Sequence, residues 1–143
     1  MGAAKNSKTK GRWFGIPRYV VNSESWAKLK APEVKLLVDV YLQYNGYNNG
    51  NLSACHTLMK KRGWAKSSLY RSFKKLIYSG FLVVTRQGMK VRGMPTLVAI
   101  TWYGIDEPNK GHYDFGINPH TVPLSYWSKP KSEWKHQPNR KEI

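Results

Sequence analysis

Residues 66–75 bring together Lys66, Ser67, Ser68, Tyr70, Arg71, Lys74 and Lys75. Such side chains bond phosphate oxygens and base edges. An ammonium acts as a point charge, a hydroxyl as a short donor or acceptor, and a guanidinium can fork onto O6 and N7 of one guanine. Lys60, Lys61 and Arg62 stand just before this set, and Arg86, Lys90 and Arg92 follow it beside Gly88 and Gly93. Groups for covalent chemistry are not arranged in this way. Asp106, Glu107, His112, Asp114, His120, Glu133 and His136 follow no spacing that would make a carboxylate pair or a metal cluster. Cys55 and His56 are two donors where a tetrahedral metal site needs four. No glycine-rich phosphate loop follows a strand. The expectation is a binding protein and not an enzyme, with no catalytic residue, metal or cofactor.

Charge agrees with that expectation. The 143 residues hold 24 Lys and Arg against 8 Asp and Glu, a net charge of +16, which calls for a polyanionic partner. Nucleic acid leads, and an anionic membrane surface comes second. Residues 1–102 carry 18 Lys and Arg against 3 acids, whereas residues 103–143 carry 6 against 5, so the partner should meet the first two-thirds of the chain. A single cysteine excludes an internal disulfide and suits a reducing compartment. No apolar run nears the ~18 residues that would span a bilayer. A cytoplasmic, nucleoid-associated protein with no membrane partner is expected.

The elements that must position the cations follow from pattern. Residues 1–12 are Lys, Ser, Thr, Asn and Gly with little to bury, and are expected to be disordered alone, as a basic arm along phosphates or a plain terminus. Arg18, Tyr19, Val20 and Val21 read as a short strand. Asn22 or Ser23 can cap a helix over residues 24–29. Pro32 and Glu33 suit the first turn of a helix whose Leu36, Leu37, Val40, Tyr41 and Tyr44 share one face, ending at Asn45 and Gly46. Asn51 and Leu52 add a very short strand. Ser53 is a candidate cap for a helix over residues 54–61, with Cys55, Leu58 and Met59 inward. Gly63 breaks it, Trp64 plugs the turn between helices, and a second helix runs over residues 66–79 with Leu69, Phe73, Leu76 and Ile77 inward. After Gly80, residues 81–86 and 96–102 are β-prone and form a hairpin around the loop 87–95.

This order resembles the winged helix-turn-helix proteins of bacterial phages, plasmids and integrative elements. The resemblance rests on Leu52-Ser53, Gly63 at the turn, Leu69, Tyr70-Arg71, Lys74-Lys75-Leu76 and the closing Ser79-Gly80-Phe81-Leu82. It extends over residues 18–102, about 60 per cent of the chain. Met59 stands where the family usually has Ala, and Ala65 where it has a capping Ser or Thr. The resemblance implies an α+β fold, a three-helix core plus a β-hairpin wing. The basic arm (1–12) precedes the domain (13–102), and an extended tail rich in proline and aromatics (103–143) follows it.

It further implies a double-stranded DNA-binding protein, a transcriptional regulator or replication-associated factor of a mobile element. Helix 66–79 would enter the major groove through Lys66, Ser67, Ser68, Tyr70 and Arg71, with Lys74 and Lys75 further along. Lys60, Lys61 and Arg62 would lie near the backbone. Wing 86–95 would offer Arg86, Lys90 and Arg92 to phosphates or the minor groove. A homodimer is allowed, though no dimerisation helix is evident. The tail either packs its aromatics on the core or binds a protein partner through Tyr126, Trp127 and Trp134, with the second slightly favoured. Two other readings stay open, a protein that inhibits a host protein through its basic face and an RNA-binding protein.

Overall fold

Pro17 decides the conformation of the residues after it. Its carbonyl accepts the N–H groups of Val20 and Val21 at 3.0 and 3.3 Å, which starts a helix rather than a strand. The structure is a computed structural model and describes residues 13–89 and 93–136. The expected strand at residues 18–21 is therefore a short helix, α1 (Arg18–Val21). Pro17 is the N-cap, with φ −57° and ψ 141°, and the β-branched preference of Val20 and Val21 yields to the burial of Val20 in the core. Val20 is fully buried, and Ser23 Oγ donates to its carbonyl at 2.7 Å.

Ser23 also caps α2 (Glu24–Ala27), accepting from Trp26 N at 3.2 Å. In α3 (Ala31–Tyr41), Glu33 reaches back to accept the Lys30 N–H at 2.9 Å. Its Leu36, Leu37, Val40 and Tyr41 are buried as their spacing requires. Past the helix end, Gln43 folds its amide onto the edge strand β1 (Leu52–Ser53), donating to Ser53 O at 2.6 Å and accepting from Ser53 N at 2.9 Å. These bonds hold Ser53 extended, so it does not cap the next helix. The N-cap of α4 (His56–Met59) is Cys55, without a side-chain bond, and Ser53 Oγ accepts from Cys55 N. Within α4 Met59 is buried, whereas Leu58, expected inward, is exposed.

A 3-10 turn (Lys60–Arg62) continues α4 and ends at Gly63, whose φ of 92° is the left-handed conformation that glycine adopts readily. Then α5 (Lys66–Tyr78) buries Leu69, Ser72, Leu76 and Ile77. Strands β2 (Leu82–Arg86) and β3 (Leu97–Ile100) follow, and the antiparallel sheet has the order β1-β3-β2. Val84 faces Val98, and the register shifts before Arg86 pairs with Leu97. Among the described residues the fold is thus α+β, with five α-helices and a three-stranded antiparallel sheet.

Both faces of that sheet are covered. Leu82, Val84, Val98 and Ile100 join the helices in the main core. Val83 and Ala99 face a second cluster made with Ile105, Tyr113, Ile117, Tyr126 and Trp134. Residues 103–136 are therefore a layer on the back of the sheet and not an extended arm. Asn49, fully buried, clamps the two regions: its amide donates to Ile100 O and Gly104 O at 2.9 and 2.7 Å and accepts from Ile100 N at 2.7 Å. Ser125 N donates to Thr101 O, and Asp114 N donates to Thr85 O, each at 2.8 Å.

Gly80 is where this layer meets the end of α5. Its φ is 86°, and a Cβ there would lie 2.6 Å from Tyr126 C and 2.7 Å from Trp127 N. Gly80→Ala is expected to lower stability in urea unfolding by at least ~2 kcal/mol, because steric displacement of backbone adds to the left-handed penalty. A loss below ~1 kcal/mol would show that residues 126–134 do not press on the helix end.

Candidate nucleic-acid interface

The chemistry that α5 can offer is set by which of its faces the core claims. Leu69, Leu76 and Ile77 are held inward, so Lys66, Ser67, Tyr70, Arg71 and Lys75 are exposed, and Ser68 and Lys74 are half-buried. Phe73, expected inward, is only half-buried against the core. Lys74 Nζ lies 5.2 Å from the centre of the Tyr70 ring. The ion pairs among the described residues are Lys35–Asp39 and Arg62–Asp39, so no cation of α5 is neutralised by a carboxylate. Nor do residues 103–136 cover Lys66 or Arg71.

The acids of the helical body turn the other way. Asp39 and Glu33 are buried, and Glu24 is the exposed one. Asp39 is the polar centre of the helix packing. Its Oδ1 accepts from Arg62 Nε and Nη2 at 3.1 and 3.0 Å, and its Oδ2 accepts from Lys35 Nζ and Trp64 Nε1 at 2.8 Å each. Lys35 Nζ also donates to Arg62 O, and it lies 5.1 Å from the centre of the Trp64 ring. Burial alone would raise the Asp39 pKa, but the bonds from Lys35, Trp64 and Arg62 outweigh it and hold the carboxyl below its ordinary value of 3.8. Trp64 is thus a plug between helices, with its indole N–H satisfied.

Several expected site residues are placed differently. Arg62 holds Asp39 through Nε and Nη2 while its side chain stays half exposed; Lys60 and Lys61 of the same turn are exposed. Arg86 is half-buried, and its Nε is shut from solvent with no partner among the described residues. Lys90 and Arg92 lie outside the described residues, as does the arm 1–12. Tyr126, Trp127 and Trp134, the expected anchors for a partner, are buried in the chain's own two clusters. Their burial satisfies the apolar area that made them look like anchors: Tyr126 stacks on Trp134 with centroids 5.0 Å apart, and Ser25 Oγ donates to Trp127 O at 2.6 Å. His56 Nε2 pairs with Trp64 O at 3.0 Å, which gives it a structural role beside Cys55. Among the described residues no group of three potential metal ligands occurs, and no helix is long and apolar enough to cross a membrane.

Asp39 escaped the sequence reading. Its signal was weak but present: one of 3 acids in residues 1–102, four residues after Lys35 on a helix. Asp39→Ala is expected to cost about 2 kcal/mol, since it strands the Trp64 N–H and removes charge-assisted bonds from Arg62. The pH dependence has a definite sign. A folded pKa below the unfolded one contributes stability that is full above pH ~4 and is lost as pH falls through the lower folded value. Urea unfolding from pH 6 to pH 2 should show this loss in the native chain and a smaller one in Asp39→Asn. Ala65, the N-cap of α5, makes no side-chain bond, so Ala65→Ser should raise stability by ~1 kcal/mol; an unchanged midpoint would mean those N–H groups are already satisfied.

Comparison with family models, with characterised proteins and with solved structures finds no match to this chain, and its function is argued from the arrangement above.

Proposed function

We propose that the chain is a winged helix-turn-helix protein that binds double-stranded DNA. In this reading α4, the 3-10 turn and α5 are the helix-turn-helix, α3 is the helix that packs behind them, and β2 and β3 are the stem of the wing. The order of these elements and the antiparallel sheet are compatible with that fold. The single observation that carries the function is the exposed cationic face of α5, unpaired with any carboxylate among the described residues, on a helical body that buries Glu33 and Asp39. A duplex carries a negative charge every ~1.7 Å of its axis, so such a face gains affinity by releasing counterions.

Within the groove, Lys66, Ser67, Tyr70 and Arg71 stand at the leading end of α5, where base edges are met. Arg71 is the candidate for direct readout of guanine. Lys60, Lys61 and Lys75 neutralise phosphates. A regulator or replication-associated factor of a mobile element is the cellular role that this reading favours. Occupation of a promoter or an origin is the simplest mechanism.

Selection of binding sites from a random duplex pool, followed by titration, tests the proposal. Arg71→Ala is expected to cost ~1–3 kcal/mol on the selected site and to relax its sequence preference. Lys75→Ala should weaken selected and random duplexes alike, and lower the slope of log affinity against log salt by about 1. Equal losses on both kinds of duplex from Arg71→Ala would remove base readout. Absence of duplex binding at low salt would remove the proposal itself.

A further inference from the structure

One wall of α5 borders an open trough that the duplex reading leaves unused. Its larger part, about 460 Å³, runs between Tyr70 and Phe73 on one side and the hairpin stem at 87–89 and 94–96 on the other. Its smaller part, about 140 Å³, extends to His56 and Lys66. The two parts adjoin at Ala54, Tyr70 and Phe73, which line both. The far wall is firm. Met89 and Met94 exchange backbone bonds of 2.8 and 3.0 Å, and Gly88 N donates to Thr96 Oγ1 at 3.1 Å.

The lining sets Tyr70, Phe73, Met89, Met94 and Pro95 beside Gln87 and Thr96, whereas the rim is cationic. Tyr70 is 49% exposed, and Phe73 is half-buried beside it. Lys66 stands at one end, and Lys74 lies over the Tyr70 ring. No carboxylate lines the trough; Asp114 lies behind Gln87 and accepts its N–H at 2.8 Å. The occupant must therefore be flat and apolar on its faces and must carry negative charge at its edge. A nucleotide meets both conditions, but only when its base has left the duplex stack. Base–aromatic stacking is tolerant of sequence and adds to the attraction of the phosphates.

We propose that the trough receives an unpaired nucleotide adjoining the duplex, its base between Tyr70 and Met94 and its phosphate near Lys66 and Lys74. The preferred target is then a duplex continued by a single strand, not an uninterrupted one. This inference rests on the duplex reading of α5. The Gln87 amide and the Thr96 hydroxyl line the trough where a base edge would lie.

The experiment compares a blunt duplex with the same duplex carrying a short overhang, 2-aminopurine being the first unpaired base. The overhang should bind about tenfold or more tighter, with its fluorescence quenched by stacking. Tyr70 belongs to the duplex-facing set as well, so Tyr70→Leu is read as the ratio of the two affinities, which should fall towards one. Cys55, the chain's single cysteine, lines the trough, and its alkylation should slow with the overhang and not with the blunt duplex. Blunt binding with a ratio of one in the native chain would overturn the inference and leave the duplex reading standing. No blunt affinity would overturn both, whether or not the overhang binds.

Discussion

The Asp39 carboxylate fixes where α5 can sit. Removing a carboxylate from water costs several kcal/mol unless donors replace the water, and here four bonds from three residues do so. Each donor comes from a different stretch of chain: Lys35 from the same helix, Arg62 from the end of the 3-10 turn, Trp64 from the link into α5. The link has little freedom left, because Gly63 between Arg62 and Trp64 is held left-handed and His56 Nε2 meets Trp64 O. The first residue of α5, Lys66, is two residues from that anchor. A strongly basic chain thus uses one buried acid to order its helix packing, and two half-exposed cations, Lys35 and Arg62, reach it from the surface.

The sheet shows a second constraint of the same kind. Residues 81–84 and 97–100 are apolar without alternation, which is the pattern of strands buried on both faces. A hairpin projecting into solvent would leave Val83 and Ala99 bare. The chain covers them with Ile105, Tyr113, Ile117, Tyr126 and Trp134, and secures the cover through Asn49. Burial pushes the Tyr113 hydroxyl up to about 12, and it stays a donor to Asp106 O at 2.6 Å. The tail is consequently part of what keeps the hairpin against α5.

Much of this was legible from residue pattern. The helical spacing of Leu36, Leu37, Val40 and Tyr41, the break at Gly63, the extent of α5 and both hairpin strands all follow from local rules that tertiary contacts leave intact. The misreadings occur where a group outside the segment itself decides. Residues 18–21 look like a strand until Pro17 supplies the starting carbonyl, and Ser53 looks like a cap until Gln43 takes its backbone. The bond of Arg62 to Asp39, 23 residues away, has no signal in the local pattern. For Tyr126, Trp127 and Trp134 the sequence reading left packing on the core and partner binding both open, and the structure has them buried. The unbroken apolar strands were the better signal, since they required a cover and nothing else in the sequence could supply it.

The same arrangement leaves α5 under tension of its own. Arg71 stands three residues from Lys74 and four from Lys75, spacings at which like charges oppose helix formation by a few tenths of a kcal/mol each. Its N-cap contributes no side-chain bond, and no acid occupies its first turn to complement the positive end of its dipole. A helix of this kind is held by packing, through Leu69, Leu76 and Ile77, and not by its own propensity. A polyanion laid on the exposed face relieves the repulsion and the dipole together, so binding would stabilise the fold by mass action. A neutral surface would relieve neither. The features that make α5 a poor isolated helix are therefore the ones that make an anionic ligand favourable there, and a single substitution towards neutrality should improve one property while weakening the other.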